Sequence, residues 1–493
     1  MENIKQKSYK AFAWDFAGKI GGQSVGFIIS IFLARLLSPD DFGLLAMVNV
    51  VIALSASLMD MGLGVALIQR KEVRDEHYGS VFFFNIVVGL LLASALFFSA
   101  PLIGRFYERE ILVPMARAMS VLFLLNSVGN VLRLKLRKEL EYGIPTRAGL
   151  LSALLSGAVG VGLAFGGFGV WSLVVQSLLN PILSNIYLFY YVKWRPRLVF
   201  QFQALKELWG FGFRMFISGI LDTIFNQADS IIIGKLFSPA MLGQYYRARS
   251  LNNYVVQYSS GSIMSVLFPA LSMIQDDAEK LKEMVRKGFH LIAFMAFFLT
   301  GLFFVIGADL ILLLFGPKWE PAIQLFHLIM LTAYGYPLSS LLVNILSAKG
   351  NSKAFLKLEV IKKVLFGSAL AFGFIWGIKG FLIFQAVAYA GAVYANMVFA
   401  GKELNTGAGW FLKMTLPYMA LVLLLVGCLQ IAQYYLNSSP LVHLFLGGGL
   451  FVLTYMGLAL LLNLQGLVLA RQELTRLVVP RVKQAWNTLT SRN

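Results

Sequence analysis

Fourteen long apolar runs dominate the chain and limit what it can fold into. Each has about 20 residues or more, which is the length that a helix needs to cross a bilayer. Backbone polar groups in lipid must pair within their own segment, so such runs are expected to be helices. The runs cover residues 11–35, 42–68, 79–103, 111–131, 147–167, 169–191, 210–234, 241–270, 289–314, 321–347, 354–376, 380–401, 413–436 and 441–464. The sequence therefore predicts an all-α integral membrane protein with about 14 transmembrane helices.

Composition supports this class and excludes others. Of the 493 residues, 58% are hydrophobic and 13% are charged, whereas soluble domains are about 45–50% apolar and 25% charged. The single cysteine, Cys428, excludes a disulfide framework. The four histidines are scattered, which argues against a metal cluster.

The basic residues indicate how the helices cross the membrane. If the N-terminus is cytoplasmic, 29 of the 42 Lys and Arg residues fall in inside segments, 6 fall at outside ends and 7 fall within apolar runs. Cytoplasmic loops carry the excess of Lys and Arg, so both termini are predicted to be cytoplasmic. The net charge of +18 is therefore explained by the basic cytoplasmic segments, and no nucleic acid partner is expected. The outside loops are too short for a catalytic or receptor domain.

An internal repeat organises these spans. The segment Ser30 to Gly43 (SIFLARLLSPDDFG) aligns without gaps to Ser230 to Gly243 (SIIIGKLFSPAMLG), with six of fourteen positions identical. Six spans separate the copies, so the two units point the same way and are expected to be related by a pseudo-two-fold axis along the membrane normal. The alternative is two Ser-Pro turns that arose independently. The predicted division is an N-terminal six-helix lobe at 1–192, a cytoplasmic connector at 193–209, a C-terminal six-helix lobe at 210–401, two additional helices at 402–464 and a cytoplasmic amphipathic tail at 465–493.

Ionisable residues inside predicted spans suggest a polar pathway. Charged side chains that face lipid are costly, so they are expected near helix ends or facing water. Lys19, Arg247 and Arg249 lie deepest, and polar residues recur at helical spacing on spans one, two, seven and eight. A wet, net-cationic cleft between the lobes explains this pattern, and its guest is expected to be anionic. The alternative is hydrogen bonding between helices, which is common in membranes.

The predicted site consists of ionisable and polar residues inside the predicted spans. The substrate-binding candidates are Lys19, Arg247, Arg249, Arg214, Arg117 and Asn253. The candidates for coupling to Na⁺ or H⁺, or for balancing charge, are Asp15, Asp60, Asp222 and Asp229. No phosphate-cradling glycine loop, dinucleotide fingerprint or catalytic constellation is present, so neither an enzyme nor a cofactor is predicted.

Four segments resemble a known family. ARLLSPDDFG, ALIQRKEVRDEHYGSVFFFN (Ala66 to Asn85), GKLFSPAMLGQYYRARSL and LFPALSMIQDD (Leu267 to Asp277) are similar to polysaccharide exporters of the multidrug/oligosaccharidyl-lipid/polysaccharide superfamily. Within it the chain resembles the Wzx-type flippases, in the colanic-acid and teichuronic-acid exporter branch. The resemblance covers spans one to twelve.

This resemblance implies a fold, a substrate and partners. The fold is two six-helix lobes around a central cationic cavity that works by alternating access. The substrate is an undecaprenyl-diphosphate-linked oligosaccharide, moved across the bacterial inner membrane for exopolysaccharide export. Membrane lipid and a polysaccharide polymerase machinery are the implied partners. Family members bind the anionic head group with basic residues in spans one, two, seven and eight. Lys19, Arg247 and Arg249 match that pattern, whereas span two has only Asp60.

Three rival functions remain open. A cation-coupled drug or small-molecule antiporter of the same superfamily would need acids to dominate the cleft. A membrane glycosyltransferase or polymerase would need a large outer loop with catalytic residues. A purely structural assembly partner would leave the buried charges without a role.

Overall fold

The structure is a computed structural model that describes residues 2–59, 61–70, 72–192, 194–195, 200–436, 439–472 and 475. In these ranges the chain is helical and contains no strand. It divides into two compact units, Met1–Tyr246 and Arg247–Asn493. The predicted lobe boundaries stay a prediction, and most of the predicted tail at 465–493 lies outside the described residues.

The first unit contains eight helices and the start of a ninth in its described part. They are α1 (Glu2–Leu36), α2 (Pro39–Met59), α3 (Leu63–Gln69), α4 (Asp75–Tyr107), α5 (Leu112–Lys138), α6 (Gly143–Phe165), α7 (Val170–Tyr191), α8 (Phe202–Leu236) and α9 (Pro239–Val256). Neighbours in sequence pack as antiparallel pairs, α4 with α5 and α6 with α7, while α1 packs on α6 and α2 packs on α8.

The second unit begins within α9 and continues through helices of mixed length. They are α10 (Ser262–Met273), α11 (Ala278–Phe315), α12 (Pro321–Met330), α13 (Gly335–Ala348), α14 (Ser352–Gly373), α15 (Gly377–Glu403), α16 (Ala408–Leu436), α17 (Pro440–Val442) and α18 (Gly448–Leu461). Its core is aromatic: Phe289 and Phe294 on α11 pack with Phe411 and Tyr418 on α16 and with Tyr455 on α18. The two helices predicted to follow the second lobe therefore share a core with α11.

The prediction of an all-α membrane protein is confirmed. In the described part of the chain, eleven helical stretches are long and apolar enough to cross a membrane. One of them, Ser352–Glu403, has 52 residues and contains both α14 and α15. The predicted spans at 210–234 and 241–270 fall in α8 and in α9 to α10, which are helical but are not among the eleven. The number fourteen stays a prediction.

The repeat seen in the sequence has matching helix boundaries. α1 ends at Leu36 and α2 begins at Pro39, while α8 ends at Leu236 and α9 begins at Pro239. Proline suits the first turn of a helix because its missing N–H would have no partner there. In both copies the serine before the proline caps the new helix: Ser38 Oγ accepts from the Asp41 N–H at 3.2 Å and Ser238 Oγ accepts from the Met241 N–H at 3.2 Å.

The two copies of the repeat also contact each other within the first unit. A Cβ on Gly43 would lie 1.8 Å from the Pro239 carbonyl oxygen, and a Cβ on Gly243 would lie 2.0 Å from that of Pro39. The contact is therefore reciprocal, because each glycine meets the proline carbonyl of the other copy. Only glycine permits this backbone approach.

The start of α8 is anchored to α3 and α4. Leu205 and Leu208 are buried in a cluster with Leu63 and Leu67. Arg70 forms an ion pair with Glu207. The fully buried His77 accepts the Arg74 backbone N–H at Nδ1, so its Nε2 carries the proton and lies 3.2 Å from Glu207 Oε2. This hydrogen bond, followed by the charge of Arg70, holds the pKa of the Glu207 carboxyl below its usual value.

We expect Glu207→Gln to loosen this anchor in a pH-dependent way. A carboxyl whose pKa is lowered in the folded state stabilises the protein above its ordinary pKa, and that stabilisation is lost as the pH falls through the lowered pKa. The variant should therefore unfold at a lower temperature than the wild type at neutral pH, and the difference should vanish in acid. Thermal unfolding in detergent from pH 7 down to pH 3 measures both. Glu141→Gln, at an exposed position, is the control, and equal behaviour of the two variants would contradict the anchor.

Candidate functional site

The predicted cation on α1, Lys19, is paired with a predicted acid. Its Nζ lies 2.6 Å from Asp15 Oδ2, one helical turn earlier, and 67% of the Lys19 side chain is exposed. α1 is held beside α6, where Thr146 Oγ1 donates to the Trp14 carbonyl at 3.1 Å. Lys19 therefore presents an accessible ammonium group whose charge is partly balanced by Asp15.

Asp229, the other predicted acid whose side chain is described, is buried and hydrogen-bonded within the protein. Asp229 is 7% exposed. Its Oδ1 accepts the Ser230 backbone N–H at 2.7 Å, and its Oδ2 accepts the Tyr245 hydroxyl. The aspartate thereby links α8 to α9. Asp60 lies outside the described residues, as do the side chains of Asp222 and Arg214.

Arg117 contacts a different part of the first unit from Lys19 and Asp15. It is exposed on α5, and its guanidinium carbon lies 5.1 Å from the centre of the Phe97 ring on α4. A long cationic side chain over an aromatic face suits the edge of an apolar layer. In the described part of the first unit, the structure brings together only Lys19 and Asp15 from the predicted set.

The second unit holds the remaining predicted residues. Arg247 is 7% exposed, and its guanidinium carbon lies 4.6 Å from the Phe315 ring centre and 5.1 Å from that of Trp319. Arg249 is half-buried and Asn253 is exposed. Arg249 and Asn253 are thus more accessible to a ligand than Arg247 is.

The first unit contains a cavity with polar lining residues that the apolar runs and charge pattern of the sequence do not predict. Its volume is about 670 Å³ and it lies among α1, α5, α6 and α7. Most of its polar lining is uncharged: Asn126, Ser156, Gln176, Ser177, Asn180 and Ser184. Arg133 is the one charged residue among the thirteen that line it. We call this space the Arg133 cavity.

Arg133 is held in place by α7. Its Nη2 donates to Ser184 Oγ at 3.0 Å and to Asn185 Oδ1 at 3.3 Å. Asn185 is 6% exposed and is itself held, since its Nδ2 donates to the Leu125 carbonyl at 2.6 Å. Both of these hydrogen bonds use Nη2, so α7 fixes the orientation of the guanidinium plane.

A glycine makes room for this arrangement. A Cβ on Gly129 would lie 2.0 Å from Asn185 Oδ1 and 3.0 Å from Arg133 Nη1. α5 and α7 can therefore approach at this level only because residue 129 has no side chain. Small residues at helix contacts are common in membrane proteins for the same reason.

The sequence contained a pattern that could have located this cavity. Gln176, Asn180 and Ser184 recur every four residues on α7, and Asn126 and Arg133 are seven residues apart on α5. Both spacings place side chains on one helical face. Hydropathy ends the fourth apolar run at residue 131 and leaves Arg133 outside it, whereas α5 continues to Lys138.

The lining determines what the Arg133 cavity can bind. Amides and hydroxyls both donate and accept hydrogen bonds, so they suit a polyhydroxylated ligand. The thirteen lining residues include Arg133 and no acid, and a guanidinium without a carboxylate beside it repels cations and attracts anions. The geometry therefore favours a neutral polar or anionic ligand.

Comparison with known proteins agrees with this fold. Lipopolysaccharide biosynthesis protein WzxC of Escherichia coli (strain K12) is 27% identical over 386 residues, covering 75% of this chain and 76% of that protein. A solved structure of the lipid II flippase MurJ in an inward closed conformation superposes with a TM-score of 0.71 at 13% identity, covering 95% of this chain and all of that one. An inward-facing multidrug resistance transporter of the MATE family superposes with a TM-score of 0.62 at 15% identity, covering 78% of this chain and 94% of that one.

The family assignment depends on a match that covers more than half of the chain. The family model described as polysaccharide biosynthesis protein matches residues 32–324. This range contains the second copy of the repeat and the residues of the Arg133 cavity on α5, α6 and α7. The chain is a multi-pass membrane protein that belongs to the polysaccharide biosynthesis protein family.

Proposed function

We propose that this protein is a flippase that moves polyprenyl-diphosphate-linked oligosaccharides across the bacterial inner membrane for exopolysaccharide export. The observation that carries the proposal is the Arg133 cavity, a polar space with one guanidinium among helices apolar enough to span a membrane. An ionisable residue at such a place marks a substrate path by default. The name of WzxC and the fold shared with a lipid II flippase support this choice.

In the proposed mechanism each part of the substrate meets a different environment. The diphosphate binds cationic side chains, with Lys19 and Arg249 as the accessible candidates and Arg117, Arg214 and Arg247 as further ones. Arginine and lysine suit phosphate because their hydrogen bonds to it are charge-assisted. The sugars enter polar space such as the Arg133 cavity, while the polyprenyl tail stays in lipid. We also propose that the chain crosses the membrane fourteen times and that both termini are cytoplasmic. Transport would then work by alternating access.

Coupling to an ion is part of the same proposal. Asp15, Asp60, Asp222 and Asp229 are the candidates for binding Na⁺ or H⁺ during return of the empty carrier. Asp15 is the accessible one among the acids whose side chains are described, since 38% of its side chain is exposed and Asp229 is buried. A polysaccharide polymerase machinery would receive the flipped product.

The rival functions have less support. A cation-coupled antiporter shares the fold but would need carboxylates where this cavity presents a guanidinium. A catalytic role would need an activated nucleophile or an acid–base pair in the cavity, and its lining of amides, hydroxyls and one guanidinium offers no base that could activate a hydroxyl. We therefore propose transport without catalysis.

We expect cells that lack this protein to accumulate the lipid-linked oligosaccharide. A charge-assisted hydrogen bond contributes about 1.5–3 kcal/mol, so loss of each phosphate contact should weaken binding by roughly tenfold or more. A Lys19→Ala plus Arg249→Ala variant should therefore accumulate the lipid as the deletion does. Lipid extraction followed by mass spectrometry measures the pool.

The matched control removes two lysines from exposed positions on α14, as Lys353→Ala plus Lys357→Ala. This control should keep the lipid pool at its wild-type size. If deletion leaves the pool unchanged, the lipid-linked substrate is wrong, and drug and cation efflux would then test the antiporter.

A further inference from the structure

The second unit contains a carboxylate and an imidazole that face each other outside the predicted site and outside the Arg133 cavity. Asp309 lies on α11, fewer than two turns before that helix ends at Phe315, and His443 directly follows α17. His443 Nδ1 lies 3.8 Å from Asp309 Oδ1, and their side chains are 19% and 12% exposed. In the described structure, His443 is the basic residue within ion-pair distance of Asp309. We call these two residues the Asp309–His443 pair.

His443 begins a π-helical turn that packs against two other helices. This π-turn, His443–Gly447, connects α17 to α18 and contacts α11 and α16. A Cβ on Gly447 would lie 2.6 Å from Gln433 Nε2 on α16 and 3.5 Å from Val305 Cγ1 on α11. The π-turn is therefore in close contact with both helices. Such turns are rare and occur frequently at functional sites, so the position of His443 is a second indication that the pair has a role.

Few other charges lie near the pair. From Leu302 to Phe315, α11 has no ionisable residue except Asp309. Among the described groups on the adjoining parts of neighbouring elements, Glu320 is the one acid and it is exposed. Cysteine and tyrosine side chains stay largely neutral at about pH 6–8. The described titratable side chains on those adjoining parts are His327 on α12, Lys318 and Glu320 after α11, Cys428 and Tyr435 on α16, and Tyr455 on α18, whose hydroxyl donates to the Phe294 carbonyl about four turns further along α11.

The pair needs one proton to be electrically neutral. Without a proton on either group it carries one negative charge, which is costly in a buried place within membrane-length helices. With one proton it is neutral overall, either as a carboxylic acid beside an imidazole or as a carboxylate beside an imidazolium. His443 Nε2 is buried and has no hydrogen-bond partner in the described structure, so Asp309 is the group that can balance a charge on the ring. Imidazole is the side chain that normally gains and loses its proton nearest to neutral pH.

The pair suits a proton better than a metal ion. In the described residues, no group of three His, Cys, Asp or Glu side chains is placed to hold a metal ion. A proton needs only one oxygen or nitrogen atom. Asp309 lies near the end of α11 and His443 lies near the start of the last helical stretch, so both lie close to one end of their helices. A proton from water therefore has a short path to them.

We infer that the Asp309–His443 pair is a proton-binding site that attaches the π-turn and α18 to α11. While one proton is bound, the pair is neutral and stays packed between α11 and the π-turn. When the proton leaves, the uncompensated carboxylate is more stable in water than in this contact, and the π-turn separates from α11. The inference goes beyond the proposed function and does not depend on which substrate is transported.

Hydrogen–deuterium exchange of the full-length protein in nanodiscs tests this site. The readout is the protection of the peptide 441–455, which is its exchange rate relative to that of an unstructured chain at the same pH. The packed arrangement holds one more proton than the separated one, so it is favoured at low pH and lost as the pH rises, by up to about tenfold for each pH unit. The wild type should lose at least about tenfold protection between pH 6 and pH 8. A peptide from α6 should keep its protection over the same range.

Three variants check the cause. Asp309→Asn keeps the shape of the side chain but removes the acid, so protection of the peptide should no longer fall as the pH rises. Asp309→His plus His443→Asp exchanges the two groups and should restore the fall, which a variant damaged only in its packing would not do. His327→Gln is the matched control, because His327 also packs against α11, with its ring 4.8 Å from that of Phe304. It should behave as the wild type does.

Three outcomes would overturn the inference. The first is a wild type whose protection does not change between pH 6 and pH 8. The second is an Asp309→Asn variant that keeps the wild-type fall. The third is an equal fall in the α6 peptide, which would show that the whole protein unfolds and that no local site controls the π-turn. No lipid-linked substrate is present in this experiment, so its result is separate from that of the transport test.

Discussion

Alanine at Gly43 or at Gly243 should destabilise the protein and abolish the lipid flipping that we propose for it. Each new Cβ would lie 1.8–2.0 Å from a backbone carbonyl oxygen of the other repeat copy. A carbonyl on a helix cannot rotate away as a side chain can, so the two hairpins must separate. Overpacking of this kind typically costs about 1–3 kcal/mol. The reciprocal contact stabilises one packed arrangement of the two repeat copies. The variants should lose this arrangement, and we expect the proposed transport cycle to stop because the cycle needs it.

Thermal unfolding in detergent and the cellular lipid pool measure these two effects. Gly162→Ala on α6 is the matched control, because its Cβ would meet no atom within 4 Å. Alanine is the better helix former by about 1 kcal/mol, so the control should be neutral or stabilising. The two single variants act on one contact, so the Gly43→Ala plus Gly243→Ala variant should cost less than their sum. Wild-type stability and flipping in either single variant would contradict the close approach.

Alanine at Gly129 should disable the Arg133 cavity. Its Cβ would displace Asn185, which would break the hydrogen bond to the Leu125 carbonyl and the one from Arg133. A buried polar group that loses its partner costs about 1–3 kcal/mol. We expect a loss of about 2 kcal/mol in the free energy of unfolding, and accumulation of the lipid-linked oligosaccharide in cells.

A second substitution tests the cause. Asn185→Ala removes the atoms that the new Cβ would strike, so Gly129→Ala plus Asn185→Ala should be more stable than the two separate losses predict. Flipping should stay low in the double variant because Arg133 has lost one of the two groups that orient it. Additive losses of stability would show that the two residues do not meet.

The helices and the repeat were predictable because both depend on local patterns. Apolar runs of bilayer length fold as helices whatever surrounds them. The Ser-Pro pairs end one helix and begin the next at Leu36 and Pro39 and again at Leu236 and Pro239. The reciprocal contact of Gly43 and Gly243 was not predictable, since it depends on how two hairpins 200 residues apart pack.

The candidate site stays a prediction in its chemistry and in its residues. An excess of cations within predicted spans favours an anionic substrate, and the cavity in the first unit has Arg133 in its lining. The residues were harder to identify, because a polar side chain on a helix can face a ligand, a neighbouring helix or a membrane surface. Arg247 illustrates this: its sequence position suggested a ligand contact, and the structure places it, almost fully buried, over Phe315 and Trp319.

The sequence by itself determined that this protein is a helical membrane protein with an internal repeat, because hydropathy and Ser-Pro turns act over one helix at a time. The tertiary structure decided which polar groups share a space. Asn126 and Arg133 meet Gln176, Asn180 and Ser184 only because Gly129 lets α5 approach α7. Helical periodicity specifies a face of each helix, but close packing between helices selects the faces that meet and the cavity that they enclose.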